Sequence, residues 1–544
     1  MSPEEFLKAF GHLAETEGGV SQLRSAIYQL AIRGGLVPQD ATEEPARLLL
    51  QRIGGTVAPG PAWDGWNLPP GWEPCLLGHL CSRVHYGVTA KALDTPNGPR
   101  MLRITDIQND RVNWNTVPGC DIDDSASENA ALADGDLLIA RTGGTIGKTY
   151  LVENLDRAAV FASYLIRAVP LSKNLSPYLK LYTGSALYWE QLRAGTAGTG
   201  LPNVSGTKLK ALRVPLPPLP EQKRIDEKVD QLMALCDELE AKQKEKRAKA
   251  VSFNKSALSA VVHAPDKSKL KSAWSRVQDH FEVLYELPEN VKELRQTILQ
   301  LAVMGKLVRQ EEGDGTADEA HVLSTGRTSK GGARGTSLVE PPPKPELPSA
   351  WAWVPIKAVT KMVTDGEHQT PERVANGIPL ATAKNVRDGF LDLANTDFVS
   401  QSTADKCRKR CSPADGDVLM VCVGATTGRL TVLVDPPEMV LVRSVALVRP
   451  DTSRVDPRFL GLLLNSPLGQ QQIWAGVKRS AQPCLYLSRI DEIMVTIPPV
   501  PEQRRILRKV DELFALGDQL LATLGRHGKK GQRLMHAVVE GLVA

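Results

Sequence analysis

The chain has 544 residues, too many for one hydrophobic core, so roughly three to four domains are expected. Its 42% hydrophobic and 24% charged residues are typical of a globular protein and exclude the disordered, collagen-like and disulfide-dense classes. The net charge of +4, from 66 Lys and Arg against 62 Asp and Glu, permits DNA binding without requiring it.

The eight cysteines follow no CxxC or other zinc-ligand spacing, so no metal site is predicted. The first residues, MSPEEFLKAFGHLAE, are acidic and amphipathic, unlike a signal peptide. No run approaches the roughly 20 apolar residues that a membrane span needs. These features predict a reduced, cytoplasmic protein that makes no membrane contact.

The first predicted helix lies in LRSAIYQLAIRGGLVPQD at 23–40, which has apolar residues at helical spacing and a glycine stop at Gly34. This stretch returns as LRQTILQLAVMGKLVRQE at 294–311. Two further pairs are LPPGW at 68–72 with LPSAW at 347–351, and ADGDLLIARTGGTIGKTYLV at 133–152 with ADGDVLMVCVGATTGRLTVLV at 414–434. The sequence is therefore two tandem copies of one plan.

Each copy contains a β-rich body, because short apolar runs such as DLLIA and DVLMVCV are bounded by Gly, Asp and Pro. Helical patterns also occur in PYLKLYTGSALYWEQL and PRFLGLLLNSPLGQQQI. The predicted fold class is α+β.

Three short stretches are similar to catalytic motifs but incomplete. TGGTIGKT at 142–149 has Thr142 where a phosphate-binding loop needs glycine, and its second copy, VGATTGRL at 423–430, has no Ser or Thr for magnesium. DPPE at 435–438 has Glu438 where an amino-directed methyltransferase motif needs an aromatic residue. We predict turns at these places and no catalytic residue.

A long helix closes each copy after a proline run, in PLPPLPEQKRIDEKVDQLMALCDEL at 215–239 and IPPVPEQRRILRKVDELFALGDQL at 497–520. Apolar residues recur in both at alternating steps of four and three, the seam of a coiled coil. One such stripe alone fits an amphipathic helix on a core equally well. Because the register is duplicated, we predict that the two helices pair through Ile225, Val229, Leu232, Leu239, Ile506, Val510, Leu513 and Leu520.

The segment between the copies, 313–348, is rich in Gly, Ser and Thr and ends in a proline run, so it is predicted to be a linker. The predicted plan is an N-terminal helical segment at 1–67, a first β-rich domain at 68–220, a central segment with long helix, helical repeat and linker at 221–346, a second β-rich domain at 347–501 and a distal long helix at 502–544.

The order of YGVTAKALDTPNGPRMLRITDI, DGDLLIARTGGTIGK and GLPNVSGTKLKALRVPLPPLPEQKRI resembles the specificity subunit of type I restriction–modification enzymes. The second copy repeats the pattern with DGEHQTPERVANGIPL and PCLYLSRIDEIMVTIPPVPEQRRI. The resemblance implies two β-rich target-recognition domains related by pseudo-twofold symmetry and joined by two long antiparallel coiled-coil helices. It also implies a DNA sequence-specificity subunit that reads a bipartite asymmetric site, one domain per half-site.

The same resemblance implies double-stranded DNA, two methyltransferase subunits and two restriction subunits as partners. It implies a non-catalytic chain with no cofactor of its own. The partner subunits are expected to use S-adenosylmethionine, ATP and Mg²⁺.

Residues on loops that flank the predicted strands are the candidate DNA contacts, because loops usually present binding groups. Arg and Lys suit guanine edges or phosphates and Gln suits an adenine edge, while a solvated surface role is equally open for each. The candidates are Tyr86, Lys91, Arg103, Arg141 and Lys148 in the first copy, His368, Gln369, Lys384 and Arg429 in the second, and Lys208 and Arg489 before the two proline runs.

Two other functions remain open on the sequence. One is a stand-alone enzyme that depends on a nucleotide or a methyl donor, against which the incomplete motifs argue. The other is a coiled-coil scaffold without DNA readout, which would lack the steep salt dependence of a DNA-binding protein.

Overall fold

The computed structural model describes residues 18–56, 67–93, 98–194, 203–317, 322, 346–478 and 482–524. The chain divides into two compact units, unit 1 at Met1–Glu245 and unit 2 at Lys246–Ala544. The division falls inside the predicted central segment 221–346, within a helix of 44 residues. Most of the predicted linker lies outside the described residues, and the predicted domain boundaries stay predictions.

Helices and strands are mixed in both units, as the α+β prediction requires. The helices of unit 1 are α1 (Gly19–Ile32), α2 (Ala46–Arg52), α3 (Asp124–Ala130), α4 (Ser176–Thr183), α5 (Ala186–Ala194), α6 (Gly206–Lys210) and α7 (Leu219–Val262), which extends into unit 2. Its strands are β1 (Glu73–Leu76), β2 (Cys81–Tyr86), β3 (Ala92–Leu93), β4 (Arg100–Leu102), β5 (Ile107–Gln108), β6 (Arg111–Val112), β7 (Gly119–Cys120), β8 (Leu137–Ala140), β9 (Thr149–Leu151), β10 (Ala159–Phe161), β11 (Leu165–Pro170) and β12 (Arg213–Leu216).

After two additional helices, the described part of unit 2 repeats most of this order, without a helix at the place of α2. Its helices are α8 (Lys267–Asp279), α9 (Phe281–Leu284), α10 (Pro288–Val303), α11 (Gln401–Arg408), α12 (Pro457–Asn465), α13 (Pro467–Gly476), α14 (Leu487–Asp491) and α15 (Val500–Leu524). Its strands are β13 (Ala352–Pro355), β14 (Thr360–Asp365), β15 (Ile378–Ala381), β16 (Asp397–Val399), β17 (Val418–Val421), β18 (Leu430–Val432), β19 (Val440–Leu441), β20 (Val445–Pro450) and β21 (Met494–Ile497).

The sheets of the two units have matching topology. Unit 1 has an antiparallel sheet in the order β2-β11-β8-β9, a second sheet β10-β4-β7-β3 and the pair β1-β12. Unit 2 has β14-β20-β17-β18, β16-β15-β19 and β13-β21. Among the described strands, each unit has one parallel pair, β4 with β10 and β15 with β19. The internal repeat in the sequence is therefore a repeat of strand order and pairing.

Helices α1 and α10 end in the glycine stop that the sequence predicts. Gly34 has φ +72°, and the following N–H, of Gly35, donates to the Leu30 carbonyl at 2.9 Å. In unit 2, Gly305 has φ +69° and the Lys306 N–H donates to the Leu301 carbonyl at 3.0 Å. Left-handed backbone of this kind ends helices because glycine adopts it without steric cost.

The Glu-Gln pair after each proline run anchors a long helix to its own unit. Buried Glu221 accepts a hydrogen bond from Trp72 Nε1 at 3.0 Å, and Gln222 Nε2 donates to the Pro217 carbonyl at 2.8 Å. Burial raises the pKa of Glu221, and the bond from Trp72 partly offsets this. The repeated sequence thus specifies a repeated helix anchor.

Unit 2 contains the same anchor at its own long helix. Glu502 accepts from Trp351 Nε1 at 3.1 Å, and Gln503 Nε2 donates to the Pro498 carbonyl at 2.9 Å. Both Glu502 and Gln503 are fully buried. Gln310 Nε2 also donates to Glu502, at 3.4 Å, so replacing the tryptophan would leave this buried side chain with only its longer hydrogen bond, at a cost in stability.

The apolar stripes of the long helices are buried in their own units. In unit 1 the stripe shares a core with α1, whose Arg24 donates to Asp237 at 2.5 Å. In unit 2 the stripe shares a core with α10, whose Arg295 pairs with Asp518 and lies 5.2 Å from the Phe514 ring centre. The buried residues are Ile225, Val229, Leu232, Ile506, Val510, Leu513 and Leu520, with Leu239 partly buried at the core edge. Pairing between the two long helices stays a prediction.

Asp226, on the first turns of α7, gives unit 1 a pH-dependent stability. Burial raises its pKa from 3.8 to about 7, with smaller contributions from the charges of Asp230 and Glu227. The folded chain therefore holds a proton that the unfolded chain releases, and this stabilisation is complete below about pH 4 and lost as the pH rises through 7. We expect Asp226→Asn to raise the melting temperature of unit 1 at pH 8 and to leave it nearly unchanged at pH 4. An equal change at both pH values, measured by calorimetry, would contradict this assignment.

Gly87 follows β2 at a point where two backbones nearly touch. A Cβ atom there would lie 2.1 Å from the Phe161 carbonyl oxygen and 2.6 Å from that of Ala162. Because the obstacle is backbone, it cannot rotate away, and we expect Gly87→Ala to cost unit 1 about 1–3 kcal/mol. Gly144 is the matched control, since a Cβ there meets nothing within 4 Å. Hydrogen exchange of the β11 amides reports the stability of unit 1 in both variants. Equal protection of these amides in the two variants would show that a Cβ atom at position 87 does not clash with the backbone.

Candidate nucleic-acid interface

The end of β2 brings together three polar side chains, here called cluster 1: Tyr86, Arg141 and Asn203. The Arg141 guanidinium carbon lies 4.6 Å from the Tyr86 ring centre, and Arg141 Nε donates to Asn203 Oδ1 at 3.3 Å. The Tyr86 hydroxyl accepts from the Gly206 N–H at 3.0 Å, which fixes the ring. Cluster 1 is a partly exposed guanidinium held in one orientation on an aromatic face.

The end of β14 in unit 2 carries a different set, here called cluster 2: Asp365, His368 and Arg410. Arg410 Nη2 donates to Asp365 Oδ1 at 2.5 Å and to His368 Nε2 at 2.8 Å. Arg410 Nε donates to the Gly366 carbonyl at 3.2 Å. A carboxylate, an imidazole and the backbone therefore orient this guanidinium, whose side chain remains 39% exposed.

Cluster 2 borders a cavity of about 480 Å³. Cys422, Cys484, Arg443 and Tyr486 also line this cavity. Burial raises the pKa of the Cys422 thiol to about 12, so this group is neutral at physiological pH. Arg443 and Tyr486 are exposed, and a cation and an aromatic ring that line one cavity are groups that suit nucleic-acid backbone and bases.

The glycine-bearing stretch at 142–149 is a hairpin connection. A 3₁₀ turn at Gly143–Thr145 joins the antiparallel strands β8 and β9, so the predicted turn is confirmed. A phosphate-binding loop would instead lead from a strand into a helix. Lys148 is exposed at the end of this turn, and its counterpart Arg429 has Nε 3.4 Å from Asp388 Oδ1.

The remaining sequence-predicted candidates lie in two kinds of surroundings. Arg103, Lys384 and Arg489 form ion pairs with nearby carboxylates, with N–O distances of 2.8, 3.2 and 3.0 Å. Lys91, Lys208 and Gln369 are exposed. The structure thus brings Tyr86 and Arg141 together, places His368 with two unpredicted partners, and leaves the others apart from these clusters.

Three residues of the clusters were missed by the sequence predictions. Asn203 lies in a β-bridge and Asp365 at a strand end. The sequence repeat predicts these backbone positions, but neither residue is part of a recognisable motif. Arg410 lies in a basic run, KCRKR, at the end of α11 and reaches Asp365 across 45 residues of sequence. A contact at that separation has no local signal in the sequence.

An Asp–Arg pair with a buried aspartate fixes β11 and its equivalent β20 beside the clusters. In unit 1, Arg167 Nη2 pairs with Asp136 Oδ2 at 2.7 Å, and the Ala133 N–H donates to the same oxygen at 2.7 Å. In unit 2, Arg449 Nε and Nη2 donate to the two oxygens of Asp417 at 2.8 and 2.7 Å. Both aspartates are buried, and burial raises the pKa of Asp136 despite its cationic partner.

Within the described ranges, no group of three or more His, Cys, Asp and Glu side chains is placed to hold a metal ion. Among the described helices, none has both the length and the apolarity that crossing a membrane requires.

The sequence is similar to a known protein family and to individual relatives. The sequence profile described as the type I restriction modification DNA specificity domain matches residues 100–249. The chain is 24% identical to the type I restriction enzyme EcoEI specificity subunit of Escherichia coli, over 93% of this chain and 91% of that protein. It is 26% identical to the EcoAI specificity subunit of Escherichia coli, over 92% and 90% of the two chains.

One solved structure with a similar chain is described as "Structural basis underlying complex assembly and conformational transition of the type I R-M system". The chain in it is 19% identical to this protein, with 88% of this chain and 99% of that chain covered and a TM-score of 0.48.

The profile match falls on the first copy, and the curated relatives align over more than nine-tenths of the chain. Both agree with the motif order that runs through the two copies. Over more than nine-tenths of its length, the chain is therefore similar to the specificity subunits of type I restriction enzymes.

Proposed function

We propose that this chain reads a bipartite, asymmetric DNA site, with unit 1 on one half-site and unit 2 on the other. The observation that carries the proposal is the duplicated topology with unlike side chains at matching places. The same strand end presents Tyr86 and Arg141 in unit 1 but Asp365 and Arg410 in unit 2. Two copies of one scaffold with different surface chemistry suit two half-sites of different sequence.

The long helices are proposed to set the distance between the half-sites. Helix α7 has 44 residues, so at 1.5 Å per residue it is about 66 Å long, more than one DNA turn of roughly 34 Å. An antiparallel arrangement of α7 and α15 would relate the readers by a pseudo-twofold axis, so that they meet the duplex in opposite senses, as a palindromic dimer does. The length of the helices, and not contacts with bases, would then set the number of base pairs between the half-sites.

The chain is proposed to act without chemistry of its own. It would position two adenine-methyltransferase subunits and two motor-nuclease subunits on the DNA, and those subunits would use S-adenosylmethionine, ATP and Mg²⁺. The relatives EcoEI and EcoAI are named as specificity subunits of restriction enzymes, which supports this division of labour.

A salt titration of the assembled chain–methyltransferase complex on DNA tests this function against the alternatives. We expect affinity for a duplex carrying the host's methylated motif to exceed that for a scrambled duplex by about 10³-fold or more, and both affinities to fall steeply with salt. The chain alone, supplied with ATP or a methyl donor, is expected to show no turnover. Equal affinity for both duplexes, DNA binding that salt does not weaken, or turnover by the isolated chain would each contradict the proposal.

A further inference from the structure

The two clusters are built on one backbone frame. In unit 1 the Arg141 N–H donates to the Tyr164 carbonyl at 3.1 Å, and the Arg141 carbonyl accepts from the Val204 N–H at 2.9 Å. In unit 2 the Cys422 N–H donates to the Ser444 carbonyl at 2.8 Å, and the Cys422 carbonyl accepts from Leu485 at 2.8 Å. Positions 141 and 422 are therefore equivalent, on backbone grounds alone.

The neighbouring positions are equivalent as well. An antiparallel bridge joins Thr142 to Asn203 in unit 1, and the same bridge joins Val423 to Cys484 in unit 2. Tyr86 ends β2, opposite Ile166 of β11, and Asp365 ends β14, opposite Ala446 of the equivalent strand β20. The three positions of the frame are thus 86, 141 and 203 in unit 1, and 365, 422 and 484 in unit 2.

The side chains on this frame differ in both size and charge. Unit 1 fills it with Tyr86, Arg141 and Asn203, which contact one another. Unit 2 places two cysteines at the positions of Arg141 and Asn203, and the space opens into the cavity of about 480 Å³. Arg410 reaches that space from the segment after α11. Each unit therefore holds one oriented guanidinium beside the same strand end, but supplied by a different element.

We propose that Arg141 and Arg410 are the guanine-selecting residues of the two half-sites, and that their different origins make the half-sites unlike. This inference rests on the proposed function. Arginine reads guanine through two parallel hydrogen bonds to O6 and N7, which requires a guanidinium of fixed orientation. A phosphate contact has no such requirement, and mobile lysine serves it equally well.

The fixed orientation is what favours base reading over backbone contact. Arg141 is held by the Tyr86 ring and by the Asn203 amide, and Arg410 by Asp365 and the Gly366 carbonyl. A guanine bound through two donors of Arg410 would take the Nη2 hydrogen that the free chain gives to His368. Asp365 is nearly buried, with a side chain 14% exposed, so it acts as a positioning residue for Arg410. Groups that read DNA depend on supporting contacts of this kind.

The test uses the matched substitutions Arg141→Lys and Arg410→Lys, each of which keeps the charge and removes the two-pronged geometry. Arg157→Lys is the control, because that guanidinium is bonded to its neighbour Asp156 at 2.7 and 2.9 Å and belongs to neither cluster. Each chain is produced with its methyltransferase subunits in a host that lacks the native gene, and modified adenines are mapped across the genome.

We expect Arg141→Lys to relax the preference for one guanine about 5- to 150-fold in one half-site only. Arg410→Lys is expected to relax one guanine in the other half-site only, and Arg157→Lys to change nothing. The inference would be overturned if both lysine variants gave the same bipartite motif as the wild-type chain at every position. It would also be overturned if one variant relaxed the base preference in both half-sites. A wild-type chain that directs no bipartite motif would instead overturn the proposed function.

If a variant supports no methylation in the host, its base preference is measured in vitro. The purified complex selects from duplexes randomised in both half-sites at low salt. Loss of one guanine preference among the selected duplexes supports the inference. Recovery of the full wild-type motif, or of a uniformly weakened one, contradicts it, because uniform weakening marks a phosphate contact.

Discussion

Asp136→Ala is expected to destabilise unit 1 by about 3–5 kcal/mol, because it leaves the Arg167 guanidinium buried without its carboxylate. The Arg167 side chain is only 11% exposed and that of Asp136 is 3% exposed. Asp417→Ala in unit 2 is the matched comparison, since Arg449 is 32% exposed and can regain water. We expect that variant to cost unit 2 only about 1–3 kcal/mol.

Hydrogen exchange separates the two units, because β11 reports on unit 1 and β20 on unit 2. The larger loss of protection is expected in β11 of the Asp136→Ala chain. The double variant Asp136→Ala with Arg167→Met should recover most of that loss, because an apolar side chain needs no partner in the interior. A double variant as unstable as the single one would show that the carboxylate acts through contacts other than this pair.

Inserting four residues into α7 after Gln243 is expected to lengthen the gap between the half-sites without altering either one. Residues 240–249 of the helix are exposed, so the insertion disturbs no core. Four residues add about 6 Å to a helix, and a base-pair step is about 3.4 Å, so the gap should grow by one or two base pairs. Four alanine substitutions in the same stretch are the control and should leave the gap unchanged.

The outcome is read from the modified adenines of a host carrying the longer chain. The methylated motif should keep both sets of specified bases and gain unspecified positions between them. An insertion that changes the specified bases would show that the helix does not act as a spacer. A motif of unchanged gap length would show that the distance is set elsewhere in the chain.

The sequence was sufficient to predict the duplication, and the structure confirms it as repeated strand order. The helix stops at Gly34 and Gly305 and the hairpin at Gly143–Thr145 were also predictable, because glycine at such places acts through local backbone geometry. Local rules succeed where the determining contact lies within a few residues along the chain.

The helix anchors and the partners of the apolar stripes were not predictable in this way. The Glu-Gln motif is visible in the sequence, but its bond to Trp72 joins positions separated by 149 residues. The stripe at 4-3 spacing predicts a buried face without saying which helix covers it, and in each unit α1 or α10 shares that core. Helix α8 was missed because it falls outside the repeated segments, although its Trp274 is fully buried.

The candidate site was predictable only in part. Arg141 and Tyr86 are predicted to lie on loops that flank strands; Arg141 does follow β8, whereas Tyr86 is the last residue of β2. The structure places the Arg141 guanidinium carbon 4.6 Å from the Tyr86 ring centre. The sequence predicts His368 as a contact but not its partners Asp365 and Arg410, and Arg410 lies 42 residues away along the chain. Equivalent backbone positions follow from the repeat, but their side chains differ between units, so only the folded chain shows which charges meet.

Genome-wide mapping of modified adenines, in a host with and without this chain, tests the central claim most directly. The account predicts a two-part motif with two unlike specified halves around a gap of fixed length, present only when the chain is produced with its methyltransferase partners. Methylation at the same sites after deletion of the chain, or a motif without a gap, would contradict it.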